Sequence, residues 1–124
     1  MDSRNDVKDF MIACDQEVKE APHNGLTQQA ELYIKLIDEE YKELHEGINH
    51  FDLVEIADAC ADLKWVIEGL EHSLGIPRQA VWDEVARSNM SKISEGGKVL
   101  KRDDGKVQKP NTYSPPDIKS IIEK

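Results

Sequence analysis

The chain has 124 residues, of which 39% are hydrophobic and 33% charged, and a formal net charge of −9. That length supports one domain with a modest core, and the balance of apolar and charged residues excludes a disordered chain. The acidic excess repels phosphate backbones and argues against a nucleic-acid partner, although bound metal would cancel enough charge locally to admit a nucleotide.

From about Asp6 to Val18, the residues Val7, Phe10, Met11, Cys14 and Val18 recur at helical spacing and predict a first amphipathic helix. Ala21-Pro22-His23-Asn24-Gly25 interrupts the pattern. Thr27 is a suitable N-cap for a second helix running to about Glu46, with Gly47 and Asn49-His50 expected at its end. The connection that follows is short, so helices two and three are expected as antiparallel neighbours. Asp52 caps the third helix, which continues to about Leu74 and stops at Gly75. Pro77 takes the first position of a fourth, which reaches about Lys92 and carries Val81, Trp82, Val85 and Ala86.

The composition changes after Ser94-Glu95-Gly96-Gly97. Lys98 to Arg102 and Lys106 to Lys109 flank Asp103-Asp104-Gly105, predicting a small basic β-hairpin. An extended segment, Pro110 to Pro116, and a last helical turn or two from Asp117 to Lys124 complete the chain. The expected fold is therefore all-α, a single domain over residues 1–124. Its helical core covers about 6–93, and a basic hairpin or extended tail covers about 94–124. Long helical patterns in a short chain leave an apolar face over, so the bundle is expected to be completed in a homodimer, which doubling would make a tetramer. No apolar run could span a membrane, and Met1–Asp6 has no apolar signal region, so a cytoplasmic protein is expected. Cys14 and Cys60 have no partner at zinc-binding spacing and are expected as buried, reduced thiols.

Two acidic stretches stand out: Glu39-Glu40-Tyr41-Lys42-Glu43 and Glu55-Ile56-Ala57-Asp58. In the second helix, Ala30, Tyr33, Ile34, Leu36, Ile37, Tyr41 and Leu44 share one arc. Glu40 falls inside that arc, and Glu39 and Glu43 lie along its edge. In the third, Ile56, Ala59, Leu63, Val66, Ile67 and Leu70 form the arc, bordered by Glu55, Asp58 and Asp62. Each acid alone has an ordinary explanation. Glu is a good helix former, Glu55 lies three residues after Asp52 at capping-box-like spacing, and Asp62 suits a solvated surface. Together they are explained better by a cation, because a carboxylate facing a core is costly without a positive partner. Oxygen-only ligands of this kind suit Mg²⁺ or Mn²⁺. Spacing of i and i+3 puts Glu40 with Glu43, and Glu55 with Asp58, on common helix faces, as in metal sites built inside bundles. Glu39, left at the edge, is placed to accept a proton from attacking water.

In the fourth helix Asn89 and Lys92 project from the same side as Val81 and Val85. The basic residues Lys98, Lys101, Arg102, Lys106 and Lys109 either meet phosphate oxygens or guard an exposed strand edge, and the sequence leaves both open. Tyr33 and Trp82 are expected in the core or an interface. Trp65 is open to base stacking or a subunit contact. His23, His45, His50 and His72 are expected at the surface, and no Gly-rich phosphate loop precedes a helix.

Glu40-x-x-Glu43 followed by Glu55-x-x-Asp58 resembles the ExxE…ExxD signature of the all-α nucleoside triphosphate pyrophosphohydrolase superfamily. That group includes MazG-like proteins, dimeric dUTPase-like enzymes and phosphoribosyl-ATP pyrophosphohydrolase. Glu84-Val85-Ala86-Arg87-Ser88-Asn89-Met90-Ser91-Lys92, Asp104-Gly105-Lys106-Val107, Lys109-Pro110 and Tyr113-Ser114-Pro115-Pro116-Asp117-Ile118 are similar to short phosphoribosyl-ATP pyrophosphohydrolase-like proteins. The similarity covers about residues 25 to 118. It implies Mg²⁺-dependent hydrolysis between the α- and β-phosphates of a nucleotide, with Glu40, Glu43, Glu55 and Asp58 as metal ligands. It also implies nucleotide contacts by Asn89 and Lys92; Lys98 and Lys101 of the basic hairpin are further substrate candidates through their charge alone. True phosphoribosyl-ATP hydrolysis in histidine synthesis shares this chemistry. A non-catalytic helical module whose acids bind a basic partner, and a divalent-metal buffer or carrier, are the remaining alternatives.

Overall fold

The computed structural model describes residues 5–94 and 96–123. The polar N-terminus Met1–Arg4, Glu95 in the expected break and Lys124 at the end of the last turn lie outside the described residues. The element order is α1 (Asp6–Ala13), α2 (Gln28–His50), α3 (Leu53–Leu74), α4 (Arg78–Met90) and α5 (Ile118–Ile122). The architecture is all-α, and no sheet forms among the described residues. No helix among them is long and apolar enough to cross a membrane. The chain divides into two compact units, one ending at Ile76 and the other beginning at Pro77.

In the first unit, α2 starts where Thr27 Oγ1 accepts the Ala30 N–H at 3.1 Å, satisfying one of the orphan donors of its first turn. Asp52 does the same for α3, accepting from the N–H groups of Val54 and Glu55 at 3.1 and 3.2 Å. Phe51, in the left-handed conformation at φ 47°, reverses the chain between them. Two glycines then let the helices approach closely. A Cβ on Gly47 would lie 3.2 Å from Ile56 Cγ1, and one on Gly69 would collide with the Tyr33 ring. Pairing 47 with 56 and 33 with 69 fixes the antiparallel register. Gly47 therefore does not end α2, as its position suggested. The helix runs through it to His50, because a small residue is needed at that crossing.

The core is Val7, Met11, Tyr33 and Val66, with Val18, Leu36, Ile37, Leu63 and Leu70 packed around them. Tyr33 is 4% exposed, as expected, and its hydroxyl donates to Gln16 Oε1 at 2.6 Å. The first helix is shorter than its apolar spacing predicted. It ends at Ala13, and Asp15 adopts φ 58°. Val18 still packs on the core, but from an irregular segment, which imitates helical periodicity in sequence. That segment is laced to α2 and α3: Gln29 exchanges two hydrogen bonds with the Glu17 backbone, and the Lys19 and His23 amides donate to the carbonyls of His72 and Leu74. Gly75, at φ 68°, ends α3 as expected.

Two further expectations are corrected. Cys14 is exposed at the end of α1, while Cys60 is half-buried, and both are free. His72 is half-buried and lies 3.0 Å from Glu68, one turn away on α3, whereas His23, His45 and His50 are exposed.

In the second unit, Pro77 stands just before α4 rather than at its first residue, and the helix stops at Met90, two residues short of Lys92. Trp82 is 69% exposed, not buried in this chain. Residues 110–117 then run back along α4 as a strap. Thr112 Oγ1 donates to the Ser91 carbonyl and the Ser114 amide to Ser91 Oγ, each at 2.8 Å. Arg87 Nη2 donates to the Pro115 carbonyl at 3.1 Å, and the Asp117 amide to Glu84 Oε2 at 2.7 Å. Asp117 also caps α5. The expected hairpin is reduced to a turn with one antiparallel bridge, Lys101 to Val107, around Gly105 at φ 87°.

Candidate active site

The α2–α3 register brings the midpoint of α2, Glu40, opposite Asp62. Glu40 is half-buried, and its Oε2 is buried without a hydrogen-bond partner. Its carboxyl is held above the usual carboxylate range. Burial is the largest cause, followed by the charges of Glu43 and Asp62, a carboxyl–carboxylate hydrogen bond with Glu43, and the charge of Asp58. All five causes point the same way, because each disfavours the charged form of Glu40. Among the described residues none of these acids forms an ion pair with Lys, Arg or His.

The structure thus brings Glu40, Glu43 and Asp58 into one electrostatic cluster and adds Asp62, which the sequence placed on the border of the α3 arc without naming it among the metal ligands. The signal was available: Asp62 is one turn beyond Asp58 and faces Glu40 once the two helices are folded about Phe51-Asp52. Glu55 is half-buried nearer that turn, its Cγ against the face of Gly47, and it does not contribute to the raised pKa of Glu40. Glu39 is exposed beside Glu40.

The orphaned oxygen and the all-carboxylate donor set fit a hard divalent cation. Among the described residues, however, no three His, Cys, Asp or Glu side chains converge closely enough to hold one as they stand. Glu43 and Asp58 are both exposed, so these two are the side chains with room to swing toward Glu40.

The second unit carries the remaining candidates. Lys92 Nζ donates to Asn89 Oδ1 at 3.0 Å, so these two are brought together at the end of α4. Lys98 and Lys101 are exposed and held through their backbones: the Lys98 carbonyl accepts from Ser94, and Lys101 forms the bridge to Val107. Below them Glu84 forms a bidentate pair with Arg87 at 2.8 Å. That pair, with the Asp117 amide, lowers the Glu84 carboxyl to about 2. Trp65 is 37% exposed, with its ring edge-on to Phe10 at 5.7 Å.

A family model described as phosphoribosyl-ATP pyrophosphohydrolase matches residues 7–89, well over half of the chain. No curated protein matches it. Enzymes of that family generally use divalent metal ions, in keeping with the carboxylates gathered around Glu40. The chain belongs to the phosphoribosyl-ATP pyrophosphohydrolase family, part of the MazG-like all-α superfamily, and is a pyrophosphohydrolase acting on a phosphoric anhydride bond of a nucleotide.

Proposed function

We propose that the chain is a Mg²⁺-dependent enzyme that cleaves a (deoxy)nucleoside triphosphate between its α- and β-phosphates, releasing the nucleoside monophosphate and pyrophosphate. One observation carries this reading: a helix-borne carboxylate, Glu40, keeps an unpartnered buried oxygen amid three other carboxylates. Such an arrangement is costly unless a cation meets it. Glu40, Glu43, Glu55 and Asp58 are the proposed ligands, with Asp62 adding negative charge beside them. Mn²⁺ would suit the same oxygens.

A bound divalent ion would neutralise the polyphosphate and lower the pKa of attacking water. Glu39, exposed next to Glu40, takes the water's proton. In the second unit Lys92 offers its ammonium to the phosphates, and Asn89 restrains where that ammonium lies. Lys98 and Lys101 add positive charge along the same stretch of chain. Residues 1–124 are proposed to act as one catalytic domain, since the family match crosses the boundary at Ile76. The protein is proposed to be cytoplasmic and homodimeric, with a tetramer as the doubled form. Exposed Leu32, Ile34, Ile48, Val54 and Ile67 on α2 and α3 support an apolar interface.

Phosphoribosyl-ATP is the second substrate reading, favoured by the family match itself. The test is pyrophosphate release from a panel of canonical and modified nucleoside triphosphates plus phosphoribosyl-ATP, with and without Mg²⁺. Metal-dependent release from one or more triphosphates is expected. Release from phosphoribosyl-ATP alone would move the assignment to histidine synthesis. No release from any of them, with unaltered folding, would sink the catalytic reading of this cluster.

A further inference from the structure

Charge is divided unevenly along the sequence. Only seven of the 25 acidic residues follow Ile76, against ten of the 16 basic ones. Not all of those cations are available to an anion. Arg87 is held by Glu84 and the Pro115 carbonyl. Arg102 is held by Asp104 at 2.7 Å, and Asp104 is fixed in turn by the Lys106 amide at 3.0 Å.

Two lysines are arranged differently. Lys92 Nζ lies 5.8 Å and Lys109 Nζ 5.0 Å from the centroid of the same ring, that of Tyr113. A cation within about 6 Å of an aromatic centroid is attracted by the ring's quadrupole. Here one ring gathers two ammonium groups from positions 17 residues apart in sequence. The ring is itself fixed. Both neighbours of Tyr113 are bonded to Ser91, the residue just before Lys92: Thr112 through its hydroxyl and Ser114 through its amide. Ser91 Oγ in turn donates to the Ser88 carbonyl at 2.6 Å, tying this junction to α4. Lys109 also borders a cleft of about 560 Å³ with Ser94, Leu100, Asn111 and Thr112, which leaves room for a phosphate chain beside it. Two like charges held near one ring repel each other, and an anion between them relieves that repulsion.

We propose that Tyr113 is a positioning residue that holds Lys92 and Lys109 as a pair, and that Lys109 is the second cation gripping the substrate's polyphosphate. This rests on the reading of Lys92 as a phosphate contact and adds to it the residue that places Lys92 and the one that works beside it. The strap over 110–117 thereby contributes to binding of the polyphosphate.

The experiment compares Tyr113→Leu, Tyr113→Phe, Lys109→Gln and Lys92→Gln in the full chain. KM and kcat are measured on the best triphosphate of the panel, and binding of inorganic pyrophosphate is measured by calorimetry in Mg²⁺ buffer. Tyr113→Leu and Lys109→Gln are each expected to raise KM and weaken pyrophosphate binding roughly five- to tenfold, with kcat within about twofold. Tyr113→Phe keeps the ring face and is expected to behave as wild type, a rescue that a purely structural role for the hydroxyl would not give. Lys109 is exposed, so its variant tests the pairing without a risk to folding. An impaired Lys92→Gln beside unaffected Tyr113→Leu and Lys109→Gln would overturn the pairing alone. A Lys92→Gln variant equal to wild type would overturn the phosphate role of Lys92 and the pairing with it.

Discussion

Replacing Glu40 by Gln separates the two costs and benefits of this residue, because it removes the charge while keeping the shape. In the metal-free protein the Glu40 carboxylate is repelled by Glu43, Asp62 and Asp58 and is partly desolvated. Like-charge neighbours on helix surfaces cost a few tenths of a kcal/mol each, so three of them plus partial burial amount to about 1 kcal/mol. Glu40→Gln should therefore stabilise the metal-free chain, raising Tm by roughly 3–5 °C near neutral pH. The pH dependence follows from the raised pKa. Below the ordinary value of 4.5 Glu40 is protonated whether the chain is folded or unfolded, and the substitution should then make no difference. As pH rises from there through the raised folded value, the unfolded chain releases its proton more readily, and wild type loses stability relative to the variant. Activity should move the other way, falling on the order of a hundredfold or more if Glu40 is a metal ligand. Added Mg²⁺ should raise the Tm of wild type and leave that of the variant nearly unchanged. Thermal melts from pH 4 to 8 with and without Mg²⁺, beside a pyrophosphate-release assay, measure all three effects. A variant that is less stable without metal yet fully active would refute the reasoning at both ends.

Three other changes probe the scaffold. Gly69→Ala places a methyl against the Tyr33 ring and should cost about 1–3 kcal/mol in chemical denaturation. Gly47→Ala, whose methyl would lie 3.2–3.3 Å from Ile56 and Glu55, should cost less; equal losses would mean that the crossing at Gly69 is looser than described. Phe51 is 73% exposed in a left-handed conformation, so Phe51→Gly should gain roughly 0.5–1 kcal/mol, and a loss would show that its ring packs on something. The strap's attachment through Glu84 should be intact above pH 4.5, the ordinary value, and be lost as pH falls toward about 2, since the folded carboxyl is the more acidic one. The Asp117 amide shift, followed by NMR, reports it, and a transition centred at or above pH 4.5 would contradict the pairing.

Much of this protein is determined locally. Thr27, Asp52 and Gly75 set helix boundaries through their own backbone and side-chain chemistry, and the structure places the corresponding ends where those residues predict. The anomaly of Glu40 is also local, an acid inside an apolar arc, and it was visible from periodicity alone. Other features depend on what lies across the fold. Gly47 reads as a helix terminator until Ile56 is seen against it, and Val18 reads as helical although it reaches the core from an irregular segment. Asp62 reads as one more acid on the border of the α3 arc until the antiparallel register sets it opposite Glu40. The pairing of Lys92 and Lys109 on Tyr113 needs the strap to fold back on α4, through hydrogen bonds to Ser91 that no spacing in the sequence announces. Caps and periodicity act over one or two turns of chain, whereas register and strap docking join residues 9 to 36 positions apart on different elements, and only the folded backbone brings those together.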